Sequence, residues 1–291
     1  MDYSCFRDIK FELNQGGVLL MTLNRPDKLN AADAAMHQAF SEVWAMIDRD
    51  PDVRVAVITG AGRAFSAGGD LDRVLHAHGN YEEIVAIIDE TRDIVYNLLR
   101  CSKPIIAAVN GVAVGAGVVV ALLSDISIMA ENAKLGDGHI RMGVTAGDHA
   151  AMLWPLLCGM AKAKYYLMTG EMLTGKEAER IGLISLAVPD DQVLVKAMDV
   201  ATKLANGPRD ALKFTKRVLN QWLLKEGAIF DHSAVLEMMG FFSKDLVAGI
   251  DGIRNKRTAK FPSNDRPRKT EATDAFSPGL QDAPPANGAK G

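Results

Sequence analysis

The sequence contains little cysteine and no strong excess of one charge. Only three of its 291 residues are cysteines, and Cys5, Cys101 and Cys158 lie far apart. A secreted disulfide framework uses an even set of cysteines, so this odd and scattered set favours a reducing compartment. The formal net charge is -3, and the lysines and arginines form no cluster of the kind that nucleic acid requires. We therefore expect neither a secreted scaffold nor a nucleic-acid partner.

Long apolar segments are also scarce. Residues 1–10 carry several charged side chains where a signal peptide would have its apolar core. The most apolar stretch, residues 104–129, is interrupted by glycines, by Asn110 and by Asp125, which does not suit a membrane-spanning helix. We expect a cytoplasmic protein without a membrane partner.

The sequence has few groups of residues at the spacing typical of metal ligands. His76 and His78 stand two residues apart, but no third ligand accompanies them at a spacing typical of metal sites. Zinc sites in proteins need three or four ligands. We therefore predict no metal.

The chain does contain a regular alternation of strand and helix patterns. Residues 17–23, 53–59 and 104–109 are short apolar runs typical of buried strands. Apolar residues at helical spacing fall between them, over residues 32–48 and 81–100. Strands that alternate with helices predict parallel βαβ units, so the predicted fold class is α/β.

The pattern changes toward the C-terminus. We predict an α/β core over residues 1–200 and a helical C-terminal region over residues 201–261, whose last helix covers residues 230–256. Residues 262–291 are rich in proline, aspartate, lysine, alanine and glycine and have almost no large apolar side chains. Such a composition cannot bury a core, so we predict a disordered tail.

Two glycine-rich loops each follow a predicted strand. They are GRAFSAGGDL at residues 62–71 and NGVAVGAG at residues 110–117. Small residues let a ligand approach the backbone, and a helix N-terminus offers free N–H groups with partial positive charge. Two facing loops of this kind could bind a developing oxyanion; the alternative is a pair of tight turns packed against neighbours.

At these loops the sequence resembles the enoyl-CoA hydratase/isomerase (crotonase) superfamily. The resemblance covers about residues 11–261 and includes LNRPDKLNA at 23–31 and KPIIAAVNGVAVGAG at 103–117. It implies a ββα spiral core of the ClpP-like type with a helical trimerisation region, assembled as a homotrimer or a dimer of trimers. It also implies an acyl-CoA substrate, with CoA as part of the substrate and no separate cofactor.

The resemblance further implies particular site residues. The backbone N–H groups of Gly69 and Ala116 would form an oxyanion hole, and losing one such donor costs about 10²–10³ in rate. The residues that would contact the substrate are Lys28, Asn30, Ala31, Ala67, Gly68, Leu71, Val119 and Trp154.

The sequence departs from the superfamily at its acid–base positions. Two glutamates of typical hydratases are replaced by Val119 and His139. Valine cannot transfer a proton, so the two-carboxylate route to hydration is predicted to be absent. His37, His139 and Asp148 are the polar residues that compensate.

These three residues are similar to the catalytic set of carbon–carbon hydrolases of the 6-oxocamphor hydrolase type, a branch of the superfamily. In that branch His37, His139 and Asp148 would be catalytic. A further glutamate of the branch falls near Ser233, with Glu237 one helical turn on.

The residue types suit attack by water. A neutral imidazole with an ordinary pKa near about 6.5 accepts a proton near pH 7, and a carboxylate orients it. Structural alternatives remain: Asp148 as a helix N-cap, His37 on a surface helix and His139 in a turn. His149 is expected to face away from Asp148.

Three functions therefore stay open. The first is an acyl-CoA enzyme of the hydratase/isomerase kind that uses His139 and Asp148 in place of glutamates, and it is the one we predict. The second is retro-Claisen hydrolysis of a carbon–carbon bond in a cyclic 1,3-dicarbonyl. The third is a binding protein of the same fold without catalysis. An oxyanion intermediate is common to the two enzymes, so the fold cannot separate them.

Overall fold

The computed structural model describes residues 1–265 as two sheets surrounded by helices. The strands are β1 (Ile9–Leu13), β2 (Val18–Leu23), β3 (Val55–Gly60), β4 (Ala64–Ser66), β5 (Ile105–Val109), β6 (Val112–Val114), β7 (Ile126–Ala130), β8 (Lys134–Gly136), β9 (Leu173–Thr174) and β10 (Leu186–Val188).

The helices enclose the sheets and extend beyond them at the C-terminus. They are α1 (Ala34–Arg49), α2 (Leu71–Ala77), α3 (Tyr81–Arg100), α4 (Ala116–Leu123), α5 (His139–Met142), α6 (Ala150–Thr169), α7 (Gly175–Arg180), α8 (Val193–Ala205), α9 (Arg209–Lys225), α10 (Gly227–Gly240) and α11 (Lys244–Arg254).

The larger sheet has the strand order β1-β2-β3-β5-β7-β10, and the smaller sheet has the order β4-β6-β8-β9. All neighbours in the larger sheet are parallel except β1 and β2. Three times in succession the chain passes through one strand of the larger sheet, one short strand of the smaller sheet and then a helix. The three loops that follow β4, β6 and β8 therefore lie side by side, and they carry the site described below.

The core explains why the central strands are apolar on both faces. Every residue of β3 is buried. Ala56 and Ile58 pack with the aromatic residues of α1, whereas Val55 and Val57 pack with the alanines of α8 on the opposite face. A parallel strand covered on both faces reads as a continuous apolar run, which is the pattern that the sequence displays.

The α/β prediction is confirmed, and three boundaries differ from it. The boundary at residue 200 falls within α8, which packs against the larger sheet. The single helix predicted over residues 230–256 is two helices, because Ser243 lies between them and its hydroxyl caps α11 by accepting the N–H of Asp245. In the predicted tail, residues 262–265 form one 3-10 turn, and residues 266–291 lie outside the described residues.

Helix α6 changes direction at Gly159, whose φ of 78° is a conformation that glycine adopts without strain. None of the helices within residues 1–265 has the length and apolarity needed to cross a membrane.

Candidate active site

Two connected cavities open beside the three loops. The inner cavity has a volume of about 90 Å³ and the outer channel a volume of about 440 Å³. Gly69, Gly115 and His139 line both of them. The inner cavity is also lined by His37, Arg73, Ala116, Val119, Asp148 and Glu237.

The two glycine-rich loops touch each other backbone to backbone. A Cβ on Gly68 would lie 2.8 Å from the carbonyl oxygen of Val114, and a Cβ on Gly115 would lie 4.0 Å from the amide nitrogen of Gly69. Both glycines have positive φ, 90° and 47°. A Cβ on Gly68 would collide with the Val114 carbonyl, and at Gly115 the positive φ, not the space, favours glycine.

This contact brings the expected oxyanion pair into one cavity. Ala116 is the first residue of α4, so its N–H has no partner within the helix. Within residues 1–265, neither this N–H nor that of Gly69 donates to another residue. Two free N–H groups, one of them at a helix N-terminus, can together accept a developing negative charge.

His139 lies at the centre of a buried cluster of three carboxyl groups. Its Nδ1 is 2.9 Å from Oδ2 of Asp137, whose Oδ1 also accepts the backbone N–H of His139. Its Nε2 is 3.6 Å from Oδ2 of Asp148 and 3.3 Å from Oε1 of Glu237. Asp137 therefore fixes the ring so that Nε2 points at the other two carboxyl groups.

The charge state of His139 differs from the sequence expectation. Burial disfavours its cation, but the charges of the three carboxyl groups outweigh burial and raise the pKa of the imidazole well above its usual range. This direction favours the cation of His139, whereas the residue type alone suggested a neutral imidazole.

The pKa values of Asp148 and Glu237 are shifted in opposite directions, although both carboxyl groups are buried beside His139. Burial alone would raise the pKa of Asp148, but the adjacent His139 and His149 overcome it and lower that pKa below its usual value. For Glu237, burial dominates and raises the pKa. Its Oε2 is buried and has no hydrogen-bond partner among the described residues. Two carboxyl groups that face the same imidazole and have pKa values shifted in opposite directions are the pattern of a base and an acid in one site.

A close helix–loop contact brings Glu237 into this cluster. A Cβ on Gly147 would lie 2.4 Å from the carbonyl oxygen of Ser233 and 2.6 Å from Cβ of Glu237. The Ser233 hydroxyl donates to the carbonyl oxygen of Gly147 over 2.8 Å. Because Gly147 has no side chain, the loop that carries Asp148 can pack directly on α10.

A second histidine, His149, forms a hydrogen bond with Asp148. Nδ1 of His149 is 2.6 Å from Oδ1 of Asp148, and the indole N–H of Trp154 donates to Nε2 of His149 over 3.3 Å. An indole can only donate, so Nε2 of His149 accepts and Nδ1 carries the proton given to Asp148. The expectation that His149 faces away is wrong. Asp148 does not cap α6 either, because the N-cap position is His149 and no side chain caps that end.

Replacing Trp154 with phenylalanine should measure how much the Trp154–His149 hydrogen bond contributes to stability. Trp154→Phe leaves the buried Nε2 of His149 without its donor, which should lower the free energy of unfolding by about 1–3 kcal/mol. Trp44 is a matched control, because it is also fully buried and its indole N–H has no partner among the described residues. Denaturant unfolding of Trp154→Phe and Trp44→Phe gives the difference between their losses in free energy of unfolding. Equal losses would mean that the Trp154–His149 bond contributes nothing.

A second polar cluster lies in the wall of the same inner cavity. Nδ1 of His37 on α1 contacts Oε2 of Glu90 on α3, and an NH2 group of Arg73 on α2 donates to the same oxygen over 2.8 Å. Burial would raise the pKa of Glu90, but these two hydrogen bonds outweigh it and lower that pKa. His37 therefore shares the cavity with His139 but belongs to a different hydrogen-bonded group.

The residues expected to contact the substrate fall into three groups. Val119 lines the inner cavity. Lining the outer channel are Lys28, Ala31, Ala67, Gly68 and Leu71. Asn30 and Trp154 line neither cavity.

Asn30 instead joins the loops beneath the site. Its side-chain amide donates to the carbonyl oxygens of Ala61 and Ala64 over 3.0 and 2.9 Å, and its Oδ1 accepts the N–H of Arg25. It is fully buried. Its contacts make it a support for the loop that carries Gly69.

Four residues of the site, Arg73, Glu90, Asp137 and Glu237, were not predicted to have roles in it. A carboxylate two residues before His139 was a readable signal for Asp137, since such spacing permits a local hydrogen bond. Glu237 was noted only as one turn beyond Ser233. Nothing in the local sequence relates Arg73 to Glu90, because they lie on different helices.

The carboxyl cluster also has the spacing of a cation site. One ligand atom each from His139, Asp148 and Glu237 lie within 4.8 Å of one another. A histidine ligand must be deprotonated, so a cation here would compete with the proton that the carboxyl groups favour on His139. The absence of a metal stays a prediction.

Comparison with known proteins identifies the family. The enoyl-CoA hydratase/isomerase family model matches residues 13–264. The probable enoyl-CoA hydratase EchA12 of Mycobacterium tuberculosis is 36% identical over 205 residues, which is 68% of this chain and 72% of that protein. The 1,2-epoxyphenylacetyl-CoA isomerase of Escherichia coli is 34% identical over 251 residues, covering 84% of this chain and 95% of that protein.

Solved structures agree with the sequence relatives. An enoyl-CoA hydratase/isomerase from Mycobacterium paratuberculosis superposes with a TM-score of 0.80 at 36% identity, covering 84% of this chain and 97% of that one. The likeness to carbon–carbon hydrolases stays a prediction. The chain belongs to the enoyl-CoA hydratase/isomerase family.

Proposed function

We propose that this protein is an enzyme that adds water to the double bond of a conjugated acyl-CoA thioester. The observation that carries the proposal is the meeting of Asp148, His139 and Glu237 in a cavity that also holds the free N–H groups of Gly69 and Ala116. Hydration needs a base for water, an acid for the α-carbon and donors for the enolate oxygen. This cavity offers all three.

The thioester oxygen accepts the N–H groups of Gly69 and Ala116. Water attacks the β-carbon while Asp148 takes its proton, and the π electrons form the enolate. Glu237 then gives its proton to the α-carbon as the enolate returns to a thioester. The proton left on Asp148 must return to Glu237.

His139 is positioned for that return. Its Nε2–H can pass to ionised Glu237, after which Nε2 takes the proton from Asp148; the two carboxyl oxygens lie 3.3 and 3.6 Å from Nε2. The water has then been added in full and each group has regained its starting state. Val119 takes no part, since the second carboxyl group comes from α10 and not from α4.

The outer channel is the proposed route of the CoA part. Lys28, Arg141 and Arg254 line it, and it is larger than the inner cavity. Cationic side chains suit the phosphates of CoA, and the small residues beside Gly68 suit its narrow pantetheine arm. CoA would bind as part of the substrate, with no separate cofactor.

A second candidate is hydrolysis of a carbon–carbon bond in a 1,3-dicarbonyl. The observation that favours it is the second donor group in the inner cavity, Arg73 with His37, which could hold the second carbonyl oxygen. Water activated by Asp148 would then attack a carbonyl carbon, and the enolate of the other half would leave into the Gly69–Ala116 site.

Crotonyl-CoA and a cyclic 1,3-diketone separate the two functions. We expect loss of the conjugated enoyl absorbance with crotonyl-CoA, unchanged after dialysis against EDTA, and no ring opening of the diketone. Ring opening without enoyl turnover would reverse the assignment. A folded protein inactive on both would support the binding-protein alternative.

We also propose that the chain assembles into a homo-oligomer, a trimer or a dimer of trimers. On α9, Phe214, Val218, Leu219 and Trp222 are each more than half exposed and fall on one side of the helix. An exposed apolar patch of this kind usually marks an interface.

A charge within that patch should disrupt the assembly. Trp222→Glu places a carboxylate in the proposed interface, and light scattering should then give the mass of one chain, 31.4 kDa. The control is Gln221→Glu, which adds the same charge at the neighbouring exposed position. An unchanged mass for Trp222→Glu would place the interface elsewhere.

A further inference from the structure

The guanidinium of Arg73 has more donors than the protein satisfies. Its side chain is 13% exposed, and within residues 1–265 its one acceptor is Oε2 of Glu90, 2.8 Å from an NH2 nitrogen. Its Nε is closed to solvent and has no hydrogen-bond partner among residues 1–265. A guanidinium carries five N–H donors and no acceptor, so the terminal nitrogens have donors left for a ligand oxygen.

These donors belong to the wall of the inner cavity. Arg73 lines the cavity together with the acid–base groups, and the rest of its lining includes the apolar side chains Phe40, Val74, Ile87 and Phe241. A wall of this kind would suit a hydrocarbon chain, except at Arg73. A purely hydrocarbon acyl group would leave the buried guanidinium donors unpaired, which is costly.

The volume of the cavity limits the length of what it binds. At about 90 Å³ it is smaller than the roughly 150 Å³ cavity that accommodates a benzene molecule. Only a few atoms beyond the thioester fit in this space. A group that reaches Arg73 must therefore sit at the end of a short acyl chain.

We propose that the substrate is the CoA thioester of a short dicarboxylic acid, whose free terminal carboxylate binds Arg73. This proposal rests on the proposed function, because it names the acyl group that the same site would take. A carboxylate accepts two parallel N–H bonds from one guanidinium, which matches the number of unused donors better than a single carbonyl oxygen does. Glu90 keeps Arg73 in place through the bond to one NH2 group and shares its oxygen with His37.

Binding of saturated thioesters tests the proposal without requiring catalysis. The CoA monothioester of glutaric acid and the CoA thioester of pentanoic acid differ at the chain end, carboxylate against methyl. We expect the glutaric thioester to bind the wild-type protein about 10–100-fold more tightly, measured by calorimetry, as expected for hydrogen bonds to a charged group. The corresponding terminal amide tests the charge, and it should bind less tightly than the carboxylate.

Two variants assign the preference to Arg73. In Arg73→Met the glutaric and pentanoic thioesters should bind about equally. A general weakening of binding would affect both ligands and leave this ratio of dissociation constants unchanged. In Arg73→Lys part of the preference should return, because the charge remains and the two-pronged geometry is lost. Circular dichroism establishes that both variants fold.

Three results would overturn the proposal: equal binding of the two acids by wild-type protein, an unchanged ratio in Arg73→Met, or an amide that binds as tightly as the carboxylate. Failure of the proposed function has a different signature. Wild-type protein that turns over no enoyl thioester would refute hydration, while the ratio of dissociation constants would still report on Arg73.

Discussion

Asp148→Asn should lower the turnover of an enoyl-CoA substrate by at least about 10²-fold, the lower range for loss of a general acid–base group. Asparagine has the shape of aspartate, and its Oδ1 can still accept the proton of Nδ1 of His149, 2.6 Å away in the wild-type protein. The substitution therefore removes the base while keeping the hydrogen bond that orients it. Steady-state kinetics measures the effect, and thermal unfolding establishes that the variant folds.

Asp125→Asn is the matched control for this loss. Asp125 is also an ion-paired carboxylate, 2.7 Å from Nζ of Lys216, but it lines neither cavity. Its substitution should cost stability and not turnover. Near-normal turnover by Asp148→Asn would mean that Asp148 only supports the structure, and another group would have to activate water.

Ala116→Pro should lower turnover by about 10²–10³-fold, the usual effect of losing one oxyanion-hole donor. Proline removes the N–H of residue 116 and is otherwise well suited to that position, which is the first of α4. The relevant comparison is with Ala116→Gly, which changes the side chain but keeps the N–H. The ratio of the kcat values of the two variants measures how much the N–H of residue 116 contributes to the rate.

Two outcomes of that comparison are informative. A folded Ala116→Pro protein with the same kcat as Ala116→Gly would show that the N–H of residue 116 does not hold the reacting oxygen. A rise in KM with unchanged kcat would mean that the N–H binds the thioester equally in the ground state and the transition state.

The parts of the site that were predictable from the sequence are local. The loops that carry Gly69 and Ala116 combine small residues with a strand before and a helix after, and all three features lie within about a dozen residues. The central strands were recognisable because burial on both faces leaves a continuous apolar run. His139 and Asp148 were found through a family resemblance, and the structure brings them within 3.6 Å.

The parts that were not predictable depend on tertiary packing. Glu237 reaches the site because Gly147 allows α10 to approach, and a glycine alone does not reveal which helix will pack on it. Trp154 was expected to contact substrate, yet it holds His149 in the layer behind Asp148. Local propensity carries no information about such distant partners.

The protonation states illustrate the same limit. From its type alone, His139 was expected to be a neutral base. The three adjacent carboxyl groups raise the pKa of His139, and the surroundings shift the pKa values of Asp148 and Glu237 in opposite directions. The proposed roles, Asp148 as base and Glu237 as acid, depend on these neighbours and were not predictable without the distances.

Mass spectrometry of an enoyl-CoA reaction run in H₂¹⁸O is the most direct test of the central claim. The substrates are crotonyl-CoA and the CoA monothioester of trans-pent-2-enedioic acid. Hydration predicts an intact thioester that has gained one labelled water on its acyl chain, with no free CoA and no shortened acid. Unchanged substrates, or label found in the carboxylate of a cleaved chain, would contradict it.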